Sequence, residues 1–421
     1  MITTINNEHK KLNFSSEREQ SQACLNSAEH EKNQGRKVLN VPNSTDKGNV
    51  IRNVPHLRFP EFEGEWEKCK LGDLCNVLMC KRILASQTNT EEGVPFYKIG
   101  TIGNAPDAYI SKELFDDYKT KYNYPHKGEV MITCAGTVGK CVIYDGKDAY
   151  YQDSNIVWID NPSQCISNSF LYHLLAKVDW RKLNSTTIIR IYNDDLRNLK
   201  LSYPQIEEQL KISRLLSLLD ERIATQNKII EDLKKLKSAI SKKLLCNDKW
   251  TTYKIQDIAE IGRGRVISSV EIERQKHPLY PVYSSQTSNN GIMGYLDNYT
   301  FDGEYITWTT DGANAGTVFY RKGKFNCTNV CGTLKILPKF DCYFVSLVLQ
   351  QATQKYVSSN LANPKLMNNT MASIKIRMPN IETQKQLSKV FQTLDSCLLV
   401  HQRTCKMYLS EKQYLLRQMF I

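Results

Sequence analysis

The sequence predicts an α+β protein: two mixed α/β domains separated by two long antiparallel helices in a coiled coil, with an internal pseudo-two-fold repeat. Three observations predict it. First, Pro204-Gln205-Ile206-Glu207-Glu208-Gln209 aligns with Pro379-Asn380-Ile381-Glu382-Thr383-Gln384, 175 residues later, and the match runs on to Leu244-Leu245 and Met419-Phe420. Second, short strand-like runs separated by turn residues precede each of these stretches. Third, the repeated stretches themselves carry apolar residues at helical spacing. Two copies of this size are far longer than solenoid repeats and describe a molecule with two similar ends.

The elements follow in order. Residues 1–50 are polar, lack apolar periodicity and read as a flexible extension. The first domain is expected over 51–203 and opens on the proline-bounded segment Val54-Pro55-His56-Leu57-Arg58-Phe59-Pro60. Its strands are expected at Val94–Ile99, Val130–Thr133, Cys141–Tyr144 and Ile156–Ile159, with a helix over Phe170–Trp180. The second domain, 247–378, repeats the scheme with strands at Tyr305–Trp308 and Thr317–Tyr320 and a helix near Phe344–Tyr356. Trp66-x3-Lys70-Leu71-x-Asp73-Leu74 meets Trp250-x3-Lys254-Ile255-x-Asp257-Ile258 at an offset of 184, so the second copy is about 9 residues shorter. Helices are too few to cross over between parallel strands, which excludes a doubly wound sheet.

The two long helices are expected over 204–246 and 379–421. Leu219, Ile223, Gln226, Ile230, Leu233, Lys237, Ile240 and Leu244 step alternately by 4 and 3, a coiled-coil seam with two polar interruptions. The second copy places Leu394, Leu398, His401, Cys405, Tyr408, Lys412, Leu415 and Met419 in the same slots. Each seam needs a partner, and the other copy is the nearest. Leu219, Ile223, Ile230, Leu233 and Ile240 are expected to pack against Leu398, Tyr408 and Leu415. Some 40 residues at roughly 1.5 Å each give a rod about 60 Å long.

Composition narrows the function. The 421 residues are 41% hydrophobic and 24% charged, ordinary for a globular protein, and the net charge of +12 favours a polyanionic partner. No apolar run is long enough to cross a membrane, and the N-terminal residues lack the features of a secretory leader. The 13 cysteines are scattered, odd in number and without a C-x-x-C pair, as expected of reduced thiols in a cytoplasmic protein.

No catalytic constellation is evident. Cys134-Ala135-Gly136-Thr137-Val138-Gly139-Lys140-Cys141 has the outline of a phosphate loop, but Cys134 stands where glycine is needed and Cys141 where serine or threonine would reach magnesium. The corresponding Thr310–Thr317 stretch keeps glycines and loses the lysine. These turns suit either a close backbone approach, for instance to DNA phosphate, or a tight hairpin. The seven histidines show no metal-binding spacing, and neither the Asn/Asp-Pro-Pro-Tyr motif of adenine methyltransferases nor a G-x-S-x-G elbow occurs.

The loops suit the reading of base edges, for which Asn and Gln pair with adenine and Arg and Lys with guanine. The candidates are Lys98, Thr101, Asn104, Thr137, Lys140, Thr187 and Arg190 in the first domain. In the second they are Arg263, Arg265, Ser284, Gln286, Asn289, Asn314 and Lys365.

At these residues the chain resembles a type I restriction-modification specificity subunit. The resemblance covers about residues 54–421. It is carried by Leu57-Arg58-Phe59-Pro60-x4-Glu65-Trp66-x4-Leu71-Gly72-Asp73-Leu74 and by Ser185-Thr186-Thr187-Ile188-x5-Asp194-Asp195-Leu196 with the following Pro204 region. The second copy departs from the family pattern with Asn360-Leu361-Ala362-Asn363-Pro364 in place of the Ser-Thr-Thr run. The resemblance implies a non-catalytic DNA reader with two target-recognition domains, each reading half of a split asymmetric site in double-stranded DNA, and paired helices that fix the gap. It further implies two modification subunits bringing S-adenosylmethionine to methylate adenine, and two restriction subunits using ATP and Mg; no cofactor is expected on this chain. The alternatives are a coiled-coil adaptor with protein-binding ends, distinguished by salt-insensitive behaviour, and an enzyme with its own methyltransferase or nuclease activity.

Overall fold

The computed structural model describes residues 53–182, 190–245, 247–358 and 363–421. The polar extension over 1–50 and the candidate Thr187 lie outside the described residues.

In the first domain, strands β1 (Glu67–Lys70) and β9 (Lys200–Tyr203) pair antiparallel and close its base. An antiparallel sheet follows in the order β2 (Asn76–Leu78), β8 (Ile156–Asp160), β5 (Val130–Thr133), β6 (Cys141–Ile143). A smaller sheet places β3 (Val94–Tyr97) between β4 (Tyr109–Ile110) and β7 (Tyr150–Tyr151), the β3–β7 pairing being parallel. The continuous apolar runs have a physical reason: β5 is buried on both faces. Val130, Ile132, Val157 and Ile159 face Phe170, Leu171 and Leu175 of a helix over Asn168–Lys177. Met131, Ile156 and Trp158 face the smaller sheet and Phe115 of a helix over Lys112–Lys121.

The second domain repeats the plan as one six-stranded sheet, because its central strands are longer. Its order is β11 (Ala259–Arg263), β16 (Cys331–Ile336), β14 (Phe301–Thr309), β15 (Val318–Cys327), β12 (Tyr280–Tyr283), β13 (Ile292–Leu296). Strands β10 (Thr251–Lys254) and β17 (Lys375–Met378) close the base as β1 and β9 do. Ile306, Trp308, Val318 and Leu334 pack on Phe344, Val345 and Val348 of the helix Cys342–Ala352. That helix stops short of the expected Tyr356; residues Thr353–Tyr356 tighten into a 3-10 turn.

The long helices run Ile206–Leu244 and Ile381–Gln418. Each starts on one domain and ends in the core of the other. Leu245 joins the second core, and Met419 and Phe420 join the first, where Phe420 stacks on Phe170 with centroids 4.9 Å apart. The glutamine of the repeated proline motif ties each helix to its own domain. The Gln209 side chain donates to the Pro204 carbonyl (2.8 Å) and accepts from the Ser167 amide (2.8 Å). Gln384 donates to Pro379 (2.9 Å) and accepts from the Asp341 amide (3.0 Å). Ser167 and Asp341 in turn cap the core helices at Phe170 and Phe344, so one buried amide locks two helix starts. A proline two residues before each helix start bars continuation backwards.

At the contact between the Asn168–Lys177 helix and the first long helix, His173 is fully buried, its Nε2 lying 3.4 Å from the Ser217 hydroxyl. Burial, reinforced by the Lys412 ammonium, holds its pKa down at about 4. The ring is therefore neutral in the fold. Its contribution is complete above the unfolded value of about 6.5 and is lost as pH falls through that window toward 4. The limit is roughly 3 kcal/mol at 1.36 kcal/mol per unit. Thermal melts between about pH 7.5 and 4.5 are expected to show falling stability, with a flatter slope for His173→Gln; an identical slope would remove His173 as its source.

Candidate nucleic-acid interface

The helix pair is antiparallel, and its polar contacts fix the register. Asp220 accepts from the Lys412 ammonium at 2.7 Å, and Lys237 pairs with Asp395. Asp395 and Lys412 are the repeat equivalents of Asp220 and Lys237, so these are the same ion pair made twice. Between them Gln226 Oε1 meets His401 Nδ1 at 2.7 Å; these residues are 175 apart and occupy the same repeat position, which puts the pseudo-dyad at this contact. Leu219 and Cys405 are buried and Ile223, Ile230, Leu233, Ile240, Leu398, Tyr408 and Leu415 half-buried, as one stripe per helix in a two-helix pair must be.

In the first domain several loops meet at one end. The Gly136 turn packs on Ile99, the Cys134 carbonyl accepts from the Ile191 amide, and the Cys134 amide donates to Asn155. Lys98 pairs with Asp107 at 3.1 Å, and the Thr101 hydroxyl accepts from the Lys98 amide. Lys140 turns inward onto the Ile102 carbonyl. Asn104 and Thr137 are exposed, and Arg190 lies beside the Ser154 carbonyl with its guanidinium 5.8 Å from the Tyr192 ring centroid. Gly139, at φ +81°, is required by its own domain: a Cβ there would stand 2.1 Å from Trp180. Gly316, at φ +82°, faces Val357 in the same way at 2.7 Å. At both glycines the close approach is to a side chain of the same domain, which gives each turn an internal reason for its glycine.

The second domain gathers equivalent loops. Arg263 donates to the Thr310 hydroxyl at 3.0 Å, and Asp311 forms a bridge to Lys365. Lys365 is the repeat equivalent of Arg190, and Leu366 donates to the Thr310 carbonyl as Ile191 does to Cys134. Arg265 is held by both carboxylate oxygens of Glu271, and this ion pair depresses the Glu271 pKa. Gly264 fits because a Cβ would stand 2.2 Å from the Cys327 carbonyl oxygen. Ser284 is half-buried; Gln286, Asn289 and Asn314 are exposed, and Asn289 and Asn290 both sit at positive φ in the 284–291 loop.

Among the described residues no histidine, cysteine or acidic group forms a metal-binding cluster, and no helix is long and apolar enough to cross a membrane. The described cysteines are unpaired, and burial raises the Cys331 thiol to about 11. Sequence reasoning missed Arg321, which is 3% exposed and lies between two aromatic rings of this domain. The available signal was the alternation of Thr307 and Thr309 with Ile306 and Trp308, which marks a second, polar face on a central strand.

The family model described as type I restriction modification DNA specificity domain matches twice, over residues 63–235 and 247–406, once in each half of the repeat. The chain belongs to that family. A putative type I restriction enzyme specificity subunit of Haemophilus influenzae is 49% identical over 164 residues, 39% of this chain and 42% of that relative. The chain thus spans under half the length of that relative. A putative type I specificity subunit of Mycoplasma pneumoniae is 36% identical over 198 residues, 46% of this chain and 82% of that protein. The crystal structure of a type I restriction-modification S subunit from M. genitalium shares the fold, with TM-score 0.66 and 18% identity over 87% of this chain and 99% of that one.

In this specificity-domain protein the twin ion pairs carry the helix register. Lys412 is 14% and Asp220 35% exposed, so the pair is partly shielded from solvent. Asp220→Lys is expected to lower stability by about 1–2 kcal/mol, and adding Lys412→Asp to recover most of it. A double-mutant cycle with no coupling would show that the pair does not hold the register.

Proposed function

We propose that the chain is the DNA-reading, non-catalytic subunit of a type I restriction-modification complex and acts in the cytoplasm. The observation that carries this reading is the match of one specificity-domain model to each half of a chain whose halves are joined by an antiparallel helix pair. Each loop-bearing domain end would read one half of a bipartite, asymmetric site in double-stranded DNA. Lysines and arginines would supply an affinity that falls steeply with salt, and base-edge contacts would supply the discrimination. The candidates for these contacts are the loop residues from Lys98 to Arg190 and from Arg263 to Lys365. The helix pair converts its length into the separation of the half-sites, as dimer geometry does in other DNA readers.

Two modification subunits would dock about the pseudo-dyad and bring S-adenosylmethionine to an adenine in each half-site. Two restriction subunits would add the motor and nuclease that use ATP and Mg. Exposed Leu399, Val400 and Met407 on the second long helix supply apolar area for such docking.

Methylation sequencing of DNA from cells expressing the chain with its modification subunit tests the reading. The expected result is a split motif of two short half-sites around a fixed gap, with adenine methylated on each strand. No new methylation by a demonstrably assembled complex would overturn it.

An insertion of four residues near Gln226 in one helix keeps one ion pair and displaces the other. It is expected to change the gap or abolish binding, and an unchanged motif at full affinity would show that the helices are not the ruler.

A further inference from the structure

The two domains share a backbone plan but differ in one layer. In the first, Met131 pairs with Trp158 and Thr133 with Ile156; Met131, Ile156 and Trp158 join an apolar core, and the Thr133 hydroxyl is satisfied by the Thr137 carbonyl and the Lys140 amide. The same registers in the second pair Thr307 with Thr333 and Thr309 with Cys331. Tyr144, which follows β6 in the first domain, corresponds to Arg321 on β15, opposite Tyr305. A layer that is apolar but for Thr133 in one domain is therefore polar in the other, with Thr307, Thr309, Thr333 and Arg321 all buried.

Hydrogen bonds within the domain do not satisfy this layer. The Arg321 guanidinium carbon lies 3.6 Å from the Tyr283 ring centroid and 4.4 Å from that of Phe319, and Nε donates to Thr307 at 3.2 Å. Its Nη1 and the Thr309 hydroxyl are buried with no hydrogen-bond partner. Arg321 and Arg263 both act on the Cys331 thiol electrostatically, and neither has a carboxylate partner among the described residues. Burial lowers the Arg321 pKa to about 10, which leaves it charged at neutral pH. An unneutralised buried guanidinium and a spare buried hydroxyl are both hydrogen-bond donors. Their missing counterpart is an acceptor, and an anionic one is favoured most.

We propose that Arg321, with Thr309 on the same strand face as its partner Thr307, forms an acceptor-binding site in the second domain that takes a DNA phosphate oxygen or the O6/N7 edge of a guanine. The inference rests on the DNA-reading function. Arg321 supplies a stacked, preoriented guanidinium, and Thr309 a hydroxyl. The amide-rich 284–291 loop borders the guanidinium: a Cβ at Gly291 would stand 3.1 Å from Arg321 Nη2. Among the described residues the first domain has no equivalent site, since Met131, Trp158 and Tyr144 occupy this layer and the Thr133 hydroxyl is already bonded.

The test uses the full chain assembled with its modification subunit, a duplex carrying the motif mapped by methylation sequencing, and a scrambled duplex. Fluorescence anisotropy across salt concentrations is compared for wild type, Arg321→Met and Thr309→Val, each first checked by circular dichroism and thermal melting. The expected result is binding at least about tenfold weaker for Arg321→Met and weaker for Thr309→Val. Equal losses on both duplexes, with a salt slope lower by about one, identify phosphate. Loss confined to the mapped duplex, reproduced by 7-deazaguanine at one position, identifies a guanine edge. Folded variants that bind both duplexes like wild type at every salt concentration overturn the proposal. Should Arg321→Met not fold, Thr309→Val decides, since its unpaired hydroxyl contributes no hydrogen bond within the domain. Failure of wild type to bind the mapped duplex would instead overturn the DNA-reading function itself.

Discussion

The structure depends on a crossed anchoring: each long helix leaves one domain and ends in the core of the other. Phe420 fills a place among Trp66 and Phe170, and Leu245 fills the matching place beside Trp250 and Phe344. Separating the domains would therefore require pulling an apolar side chain out of a core at each end. A full-length Phe or Leu burial is worth about 1.5–3 kcal/mol, so the anchors make the helix pair part of both domains. At its other end each helix is held by Gln209 or Gln384, whose buried amide would leave several backbone groups unsatisfied if removed.

Given those anchors, the polar contacts along the helices select one pairing. Were the helices parallel at their repeat alignment, Asp220 would face Asp395 and Lys237 would face Lys412, like against like. Antiparallel, both pairs become attractive, and Gln226 meets His401 where the dyad passes. Such positions sacrifice apolar contact in the seam and gain register, as buried polar residues do in coiled coils. A charge pair 17 residues apart on each helix cannot slip by a heptad without losing both contacts.

Much of this was legible in the sequence. The repeat and the four-three spacing disclosed the architecture because they are periodic, and periodicity survives without coordinates. The Pro-x-Ile-Glu-x-Gln motif was visible, but the role of its glutamine was not. Its partners, Ser167 and Asp341, lie some 40 residues upstream and are joined to it only by folding. The loop candidates were legible as types and not as geometry. Arg265 turned out to be neutralised by Glu271 and Lys140 directed at a carbonyl, while Arg263 carries no carboxylate partner among the described residues. The turn glycines were visible too, but Trp180 and Val357, which demand them, are distant in sequence.

The contrast between the halves has a mechanical logic. Contacts that hold the scaffold, namely the glutamine clamps, the capped core helices, the ring clusters and the twin ion pairs, are made twice with equivalent residues. The layer beyond the central strands is free of those duties. It holds Met131, Trp158 and Tyr144 in one domain and Thr307, Thr333 and Arg321 in the other. A difference there alters the chemistry offered at one end and leaves the distance and orientation between the ends untouched. Scaffold symmetry and asymmetric reading are thereby compatible in one chain, since geometry is fixed by the helices and donor placement by a layer that the helices do not touch.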